Sequence, residues 1–209
     1  MPFDLAVIDL DNTLYRADTG VFARMDARMT AFIVRELGVD EAEANRLRLK
    51  YWQEFGTTLR GLMLYHGIDA EAFLHEVHDI NAHELLSPDP DFDAALARLP
   101  GRKVIHTNGI REHAERILAA LGIGHHFERI YDIRFDADYL PKPNREVLAR
   151  LIELEGSTPD RTLVVDDMAD NLTPAKELGC RTVWITHEPD GHWDYHIPSM
   201  HGLPEKFSA

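Results

Sequence analysis

The chain has a single cysteine, Cys180, in 209 residues. That excludes an internal disulfide and any zinc site built from several thiolates. A lone thiol at the head of a strand reads as a buried structural group. Basic charge is also scarce: 22 lysines and arginines stand against 36 aspartates and glutamates, for a formal net charge of −14. A field of that sign repels a phosphate backbone, and no local basic stripe offsets it, so nucleic acid is not an expected partner. Any site for a small phosphate must supply its own positive charge. No apolar run is long enough to cross a bilayer, so no membrane partner is expected. The first residues lack a basic start, and Asp4, Asp9 and Asp11 break their apolar run, so no secretory signal is expected. With one cysteine, the expectation is a soluble cytoplasmic protein. Hydrophobic residues make up 44% and charged residues 28%, which suits one globular core with one inserted module.

The chain opens with Leu5, Ala6, Val7 and Ile8 in succession, which predicts a short buried strand within Phe3 to Leu10. The next stretch of that kind comes only at Lys103-Val104-Ile105-His106-Thr107. Strands are then expected at 129–133, 162–166 and 181–186. Helical patterns separate them. Ile110, Ala114, Ile117, Leu118 and Leu121 share a face before Gly122; Val147, Leu148, Leu151 and Ile152 make a second face; 173–178 makes a third, stopped by Gly179. Strand alternating with helix predicts a parallel sheet covered on both faces. Residues 16–87 read as helices alone. Phe22, Met25, Met29, Phe32 and Ile33 share a face closed by Leu37-Gly38. Asp40 followed by Glu43 reads as a capping box opening a helix to Phe55-Gly56. Leu59, Leu62 and Met63 belong to a third helix ending at Gly67, and Asp69 opens a fourth with Phe73, Leu74, Val77 and Ile80 inward. From His187 to Ala209 the pattern is irregular, and His187, His192, His196 and His201 are spaced too unevenly for a zinc motif.

The first strand ends Asp9-Leu10-Asp11-Asn12-Thr13. In a parallel sheet ligands bind beyond the carboxyl ends of the strands. Two carboxylates so close repel unless a cation or a shared proton lies between them. Aspartates also serve ordinary strand-end turns, so this pair alone leaves both readings open. The strand at 162 adds Asp166-Asp167, followed by Met168-Ala169-Asp170-Asn171. Hard oxygen ligands without histidine or cysteine point to Mg²⁺. After the strand at 103, Thr107-Asn108-Gly109 precede a helix, and their hydroxyl, amide and backbone N–H groups make an anion cradle. Lys142, held between Pro141 and Pro143, can neutralise both a phosphate and an attacking carboxylate, or stand as a solvated loop lysine.

In that order, Asp-x-Asp, Thr-Asn-Gly, Lys and Asp-Asp, the chain resembles the haloacid dehalogenase-like superfamily along its whole length. The resemblance implies an α/β fold, a Rossmann-like parallel-sheet core with an inserted all-helical cap. It divides the chain into core at 1–15, cap at 16–87 and core again at 88–209. It also implies a Mg²⁺-dependent phosphomonoesterase in which Asp9 is the nucleophile and forms an aspartyl-phosphate. Asp11 would protonate the leaving oxygen and then activate water. Thr107, Asn108 and Gly109 would hold the phosphoryl oxygens, and Lys142 would screen the approach of one anion to another. Mg²⁺ would be held by Asp9, the backbone carbonyl of Asp11, and Asp167, with Asp166 either a further ligand or a group behind them. Some relatives have a carboxylate where this chain has Asn171. The dehalogenases that named the superfamily lack the second aspartate, because halide leaves without a proton. A phosphomutase would keep both aspartates and ranks below the hydrolase. A non-catalytic module that binds a phosphometabolite would be marked by loss of Asp9, Asp11 or Lys142, and none is lost.

The stretch Asp-Leu-Asp-Asn-Thr-Leu-Tyr at 9–15 is similar to the pyrimidine 5′-nucleotidase branch. So are Tyr51 to Leu62, His66-Gly67-Ile68-Asp69, Val77-His78-Asp79, and Asp166-Asp167 with Asn171. This implies nucleoside 5′-monophosphates, pyrimidine ones first, with sugar-phosphate or phosphoglycolate-type esters as the alternative. In caps of this type the loop between two helices faces the active site, here Gly56-Thr57-Thr58-Leu59-Arg60. Arg60 either offers a forked donor to substrate or is a solvated surface arginine. Tyr51, Trp52 and Phe55 either stack on a base beside Thr58 or pack the cap onto itself. The expected partner is a small phosphate ester, and monomer and homodimer fit equally.

Overall fold

The computed structural model describes residues 3–188 and 191–207. Every side chain of β1 (Leu5–Ile8) is buried, and alternate residues enter different clusters. Ala6 and Ile8 pack with Ile105, Leu163 and Val165 on one face of the sheet. Leu5 and Val7 pack with Val104, Val164, Leu151 and Leu172 on the other. A strand covered on both faces has no polar side, so its sequence is a continuous apolar run rather than an alternation. The remaining strands are β2 (Arg102–His106), β3 (Arg129–Tyr131), β4 (Thr162–Asp166), β5 (Arg181–Ile185) and β6 (Tyr195–Ile197). All five pairings are parallel, in the order β3-β2-β1-β4-β5-β6. Ile8 is in register with Ile105 on one side and Val165 on the other. The chain moves from β1 outward to β2 and β3, then crosses back to β4. The order therefore reverses beside β1, and the carboxyl ends of β1 and β4 lie side by side at the switch point where such sheets open a crevice.

Among the described residues, five α-helices separate β1 from the rest of the sheet, and the first four are α1 (Val21–Leu37), α2 (Glu41–Phe55), α3 (Thr58–His66) and α4 (Ala70–His78). Asp40 caps α2 by accepting from the Glu43 N–H at 2.9 Å, and Asp69 caps α4 through Ala72 at 2.7 Å. These helices enclose an apolar cluster of their own, including Ile33, Leu47, Tyr51, Leu62, Phe73 and Val77, into which Ile110 and Ile133 reach from the α/β part. α1 belongs to both bodies. Its first turns put Val21 and Met25 among the sheet's residues, while Phe32 and Ile33 lie in the helical cluster.

A fifth helix, α5 (Pro90–Arg98), leads into β2, with Asp89 capping it and Pro90 in its first turn. The sequence reading did not anticipate it. α6 (Arg111–Leu121), α7 (Arg145–Leu154) and α8 (Ala169–Leu178) complete the layers. α8 starts already at Ala169, directly after the second acidic pair. The tail beyond His187 is not wholly irregular: β6 adds a sixth strand, and Ile197, Met200 and Leu203 enter the core. Asp194 ties that strand's approach to β5 by accepting from the Thr182 N–H and hydroxyl at 2.9 and 2.7 Å. Residues 189–190 and 208–209 of this tail lie outside the described residues. Among the described residues, no helix is long and apolar enough to cross a membrane.

Candidate active site

Asp9 follows β1 directly, Thr107 follows β2, and Asp166 ends β4, so the switch point brings three of the singled-out motifs together. The fourth arrives from the loop before α7. Lys142 is buried there, with its ammonium donating to Asp9 Oδ1 at 2.5 Å and to Asp166 Oδ2 at 2.8 Å. The solvated-loop reading of this lysine is thereby excluded. Asp166 is saturated by protein donors, because its other oxygen accepts from the Met168 N–H and from Asn171 Nδ2, both at 2.9 Å. Asn171 thus holds the carboxylate that holds the lysine.

The loop after β1 reverses at Asn12, whose φ of 63° lies in the left-handed region that asparagine tolerates better than most side chains. Thr13 Oγ1 then accepts from the Asp167 N–H at 3.1 Å, which ties the two acidic loops to each other. Thr107 is buried and its hydroxyl oxygen accepts from the Gly109 N–H at 2.9 Å. Asn108 clamps the Lys142 backbone, accepting from its N–H at 2.8 Å and donating to its carbonyl at 3.3 Å. The sequence reading places the Asn108 amide in the anion cradle; here both ends of that amide are taken by the Lys142 backbone, which leaves the backbone N–H of Asn108 for an anion.

Asp11 is gripped by residues the motif reading missed. The Tyr15 hydroxyl donates to Asp11 Oδ1 at 2.5 Å, and His113 Nε2, from α6, lies 2.8 Å from the same oxygen. His78, at the end of α4, packs its ring 4.9 Å from that of His113. One signal was available: His113 occupies the apolar face of α6 between Ile110 and Ala114, where a polar residue requires a partner.

The electrostatics of the site follow from burial and the crowding of like charge. Burial pushes Asp9 well above the usual carboxylate range, and Asp166, Asp167 and Asp11 add to the rise against the pull of Lys142. Asp167 is pushed up to about 7 by burial and by Asp166. Burial alone would lower Lys142, but Asp166 and Asp9 hold it above its ordinary value. Asp11 behaves oppositely. Burial would raise it, yet His113, Tyr15 and His78 together lower it to about 2. Asp9, Asp166 and Asp167 offer one oxygen each within 4.8 Å of one another. Three carboxylates with one ammonium leave negative charge uncompensated, and an all-oxygen donor set of this kind fits Mg²⁺.

The helical insertion touches this site at Gly56 and Arg60. Gly56 has φ +81°, and a Cβ there would stand 3.0 Å from the Lys142 carbonyl oxygen and 3.2 Å from Pro141, so backbone alone fits. Arg60 donates to the Asp138 carbonyl at 2.8 Å, on the loop that carries Lys142. Phe55 is half-buried beside the rings of Tyr51 and Tyr65. Tyr51 is not brought to the site. It is buried against Gly61, where a Cβ would fall 2.1 Å from its ring, and its hydroxyl pairs with His66 Nε2 at 2.7 Å. Thr58 is likewise inward, donating to the Arg48 carbonyl at 3.0 Å.

Sheet order, strand-end carboxylates and a buried lysine agree with the resemblance to the haloacid dehalogenase-like class. A haloacid dehalogenase-like hydrolase family model matches residues 3–179, and the chain belongs to that family. Among curated proteins it is similar to Phosphate metabolism protein 8 of Saccharomyces cerevisiae, at 30% identity over 185 residues. That alignment covers 82% of this chain and 58% of the yeast protein, so the chain spans less than two thirds of that relative's length. Among solved structures it is similar to a HAD phosphatase from Thermococcus onnurineus, with a TM-score of 0.68 and 19% identity over 98% of both chains. A Bacillus subtilis HAD hydrolase bound to magnesium gives 0.67 and 16% over 100% of both. The L-2-haloacid dehalogenase of Xanthobacter autotrophicus gives 0.64 and 18% over 98% of both. At these identities the likeness to solved structures speaks for the fold.

Proposed function

We propose that the chain is a Mg²⁺-dependent phosphomonoesterase that works through an aspartyl-phosphate on Asp9. The observation that carries this reading is the Lys142 ammonium lodged between Asp9 and Asp166, with a second aspartate, Asp11, held two residues beyond the first. Asp9 attacks the phosphorus, the bond from phosphorus to the ester oxygen breaks, and Asp11 delivers a proton to that oxygen. Asp11 then takes a proton from the water that attacks phosphorus, the bond to Asp9 breaks, and free phosphate leaves. Thr107 through its hydroxyl and Asn108 through its backbone N–H would face the transferring group, the Gly109 N–H being given to the Thr107 hydroxyl oxygen, and Lys142 contributes the positive charge that an acidic surface denies elsewhere. Mg²⁺, held by Asp9, Asp167 and the Asp11 carbonyl, would keep Asp9 ionised and offset charge on the phosphoryl oxygens. Asp166, with both oxygens taken, serves to orient Lys142. Asp11 is held down at about 2 and stands ionised, so the acid step requires that it gain a proton as the phosphate dianion arrives beside it and raises it.

For the substrate we infer a small phosphate ester, with nucleoside 5′-monophosphates first and pyrimidine ones among them. Resemblance at 9–15 and 51–62 supports this. Residues 16–87 would act as the cap, and discrimination would fall to the Phe55 to Arg60 turn. Tyr51 and Thr58, turned inward, are assigned no contact with substrate. The reading is tested by phosphate release from UMP, CMP, other nucleotides and sugar phosphates, with and without Mg²⁺, in wild type and Asp9→Asn. Mg²⁺-dependent release led by UMP or CMP and abolished in Asp9→Asn is expected. Leading sugar phosphates would overturn the substrate, and release untouched by Asp9→Asn would overturn the mechanism.

A further inference from the structure

A second group of metal-ligating side chains lies away from the carboxylates of β1 and β4: Asp93, His125 and His126. α6 starts beyond the carboxyl end of β2 and runs back, so the turn that follows, Gly124–His126, sits at the amino edge of the sheet where β3 begins. At the end of α6, a Cβ on Gly122 would stand 3.3 Å from Pro88. The first turns of α5, and Asp93 with them, therefore meet the same edge, across the sheet from Asp9.

His126 Nε2 lies 2.8 Å and His125 Nε2 3.1 Å from one and the same oxygen, Asp93 Oδ1. Their rings are 4.0 Å apart. Only His126 is hydrogen-bonded to that oxygen; His125 Nε2 stands close to it without hydrogen-bond geometry, so three ligand atoms are gathered for a single bond among them. With bonds of about 2.0–2.2 Å to nitrogen and oxygen, a tetrahedral Zn²⁺ sets its ligand atoms about 3.3 Å apart, so the two contacts to Asp93 need open only slightly to admit it. Two imidazoles and a carboxylate favour Zn²⁺-like ions, whereas the all-oxygen group at β1 and β4 favours Mg²⁺. His126 is nearly enclosed, His125 is largely exposed and Asp93 is half-exposed, so an ion can enter from solvent and retain water on its open positions. The overall charge of −14 draws cations toward such a site.

We propose that Asp93, His125 and His126 form a site for a divalent transition metal of the Zn²⁺ class, which pins the start of α5 to the turn before β3. The test is a Zn²⁺ titration against a chromogenic chelator in excess Mg²⁺, on wild type, His125→Ala, Asp93→Asn and Asp9→Asn. Circular dichroism without metal checks that each variant is folded, and His125 is exposed enough for alanine to leave packing intact. Wild type and Asp9→Asn should bind one Zn²⁺ more tightly than the other two variants. Losing a ligand should weaken Kd by at least the roughly 10–100-fold that losing a ligand's supporting partner does. Zn²⁺ should raise Tm in wild type and leave His125→Ala behind. Equal Zn²⁺ affinity in wild type and both ligand variants, or no uptake by wild type, would mean that the two histidines only pair with Asp93, and the proposal fails.

Discussion

Replacing His113 with leucine removes the 2.8 Å contact to Asp11 Oδ1 and leaves only the Tyr15 hydroxyl at 2.5 Å. A hydrogen bond to a charged group contributes about 1.5–3 kcal/mol. If it fixes the geometry in which Asp11 meets the leaving oxygen, its loss lowers kcat/KM by about 10- to 150-fold, at about 1.36 kcal/mol per tenfold. The loss should fall on alkyl esters, whose departing oxygen needs a proton. It should shrink to below about threefold for p-nitrophenyl phosphate, whose phenolate departs without one. The comparison is made in kcat/KM because that quantity ends with formation of the aspartyl-phosphate and leaves out the later attack by water. His113→Gln, which keeps a donor within reach of Asp11, should recover most of the alkyl rate. Steady-state release from both esters in wild type, His113→Leu, His113→Gln and Asp11→Asn decides the matter. An equal loss on both esters, or an unaffected alkyl ester, refutes a positioning role for His113.

Lys142→Ala strands Asp9 and Asp166 without their shared cation. Breaking a buried pair of this kind destabilises by about 3–5 kcal/mol, and urea denaturation at neutral pH should show it together with loss of phosphate release. Unchanged stability would mean that the lysine is not the anchor described. A second expectation concerns pH. Asp167 titrates near about 7 in the fold against an ordinary 3.8, so between those values the folded protein keeps a proton that the unfolded chain has released. Stability of the metal-free protein therefore falls as pH rises through that window. The Tm increment from Mg²⁺ should be larger at about pH 7.5 than at about pH 5 and smaller in Asp167→Asn. An increment independent of pH would reject the assignment.

The residues around Lys142 were legible because each sits at the end of an apolar run, and a parallel sheet gathers such ends at one edge. Asp9, Thr107 and Asp166 needed only the strands to be found. The grip on Asp11 was not legible in the same way. It joins Tyr15, just past the first strand, to His113 about a hundred residues later, and only the crossing of α6 over β1 brings them together. β6 escaped because three residues, Tyr195–Ile197, carry no pattern of their own and owe their strand to the open edge of β5. α5 had a usable signal in Asp89-Pro90 followed by Phe92, Ala95 and Leu96 at helical spacing. Tyr51 shows the opposite difficulty: its place beside the cap loop suggested a base-stacking ring, but the absent side chain of Gly61 opens a slot that takes the ring inward. Such a vacancy shows in a sequence only once the pairing of α2 with α3 is known.

α1 is a rod of about 25 Å at the usual rise per residue, with one end set among sheet residues and the other in the helical insertion. Its buried end shares its surroundings with Leu10, Leu14 and Tyr15, the residues that frame and hold Asp11. A swing of the insertion to let a molecule in or out must either bend that rod or turn its root. Turning the root disturbs Tyr15, and with it the aim of Asp11. On the proposed function, in which residues 16–87 are the cap and Asp11 the proton carrier, opening the chamber and disarming that carrier become one movement, and Asp11 is fully aimed only when the insertion has settled.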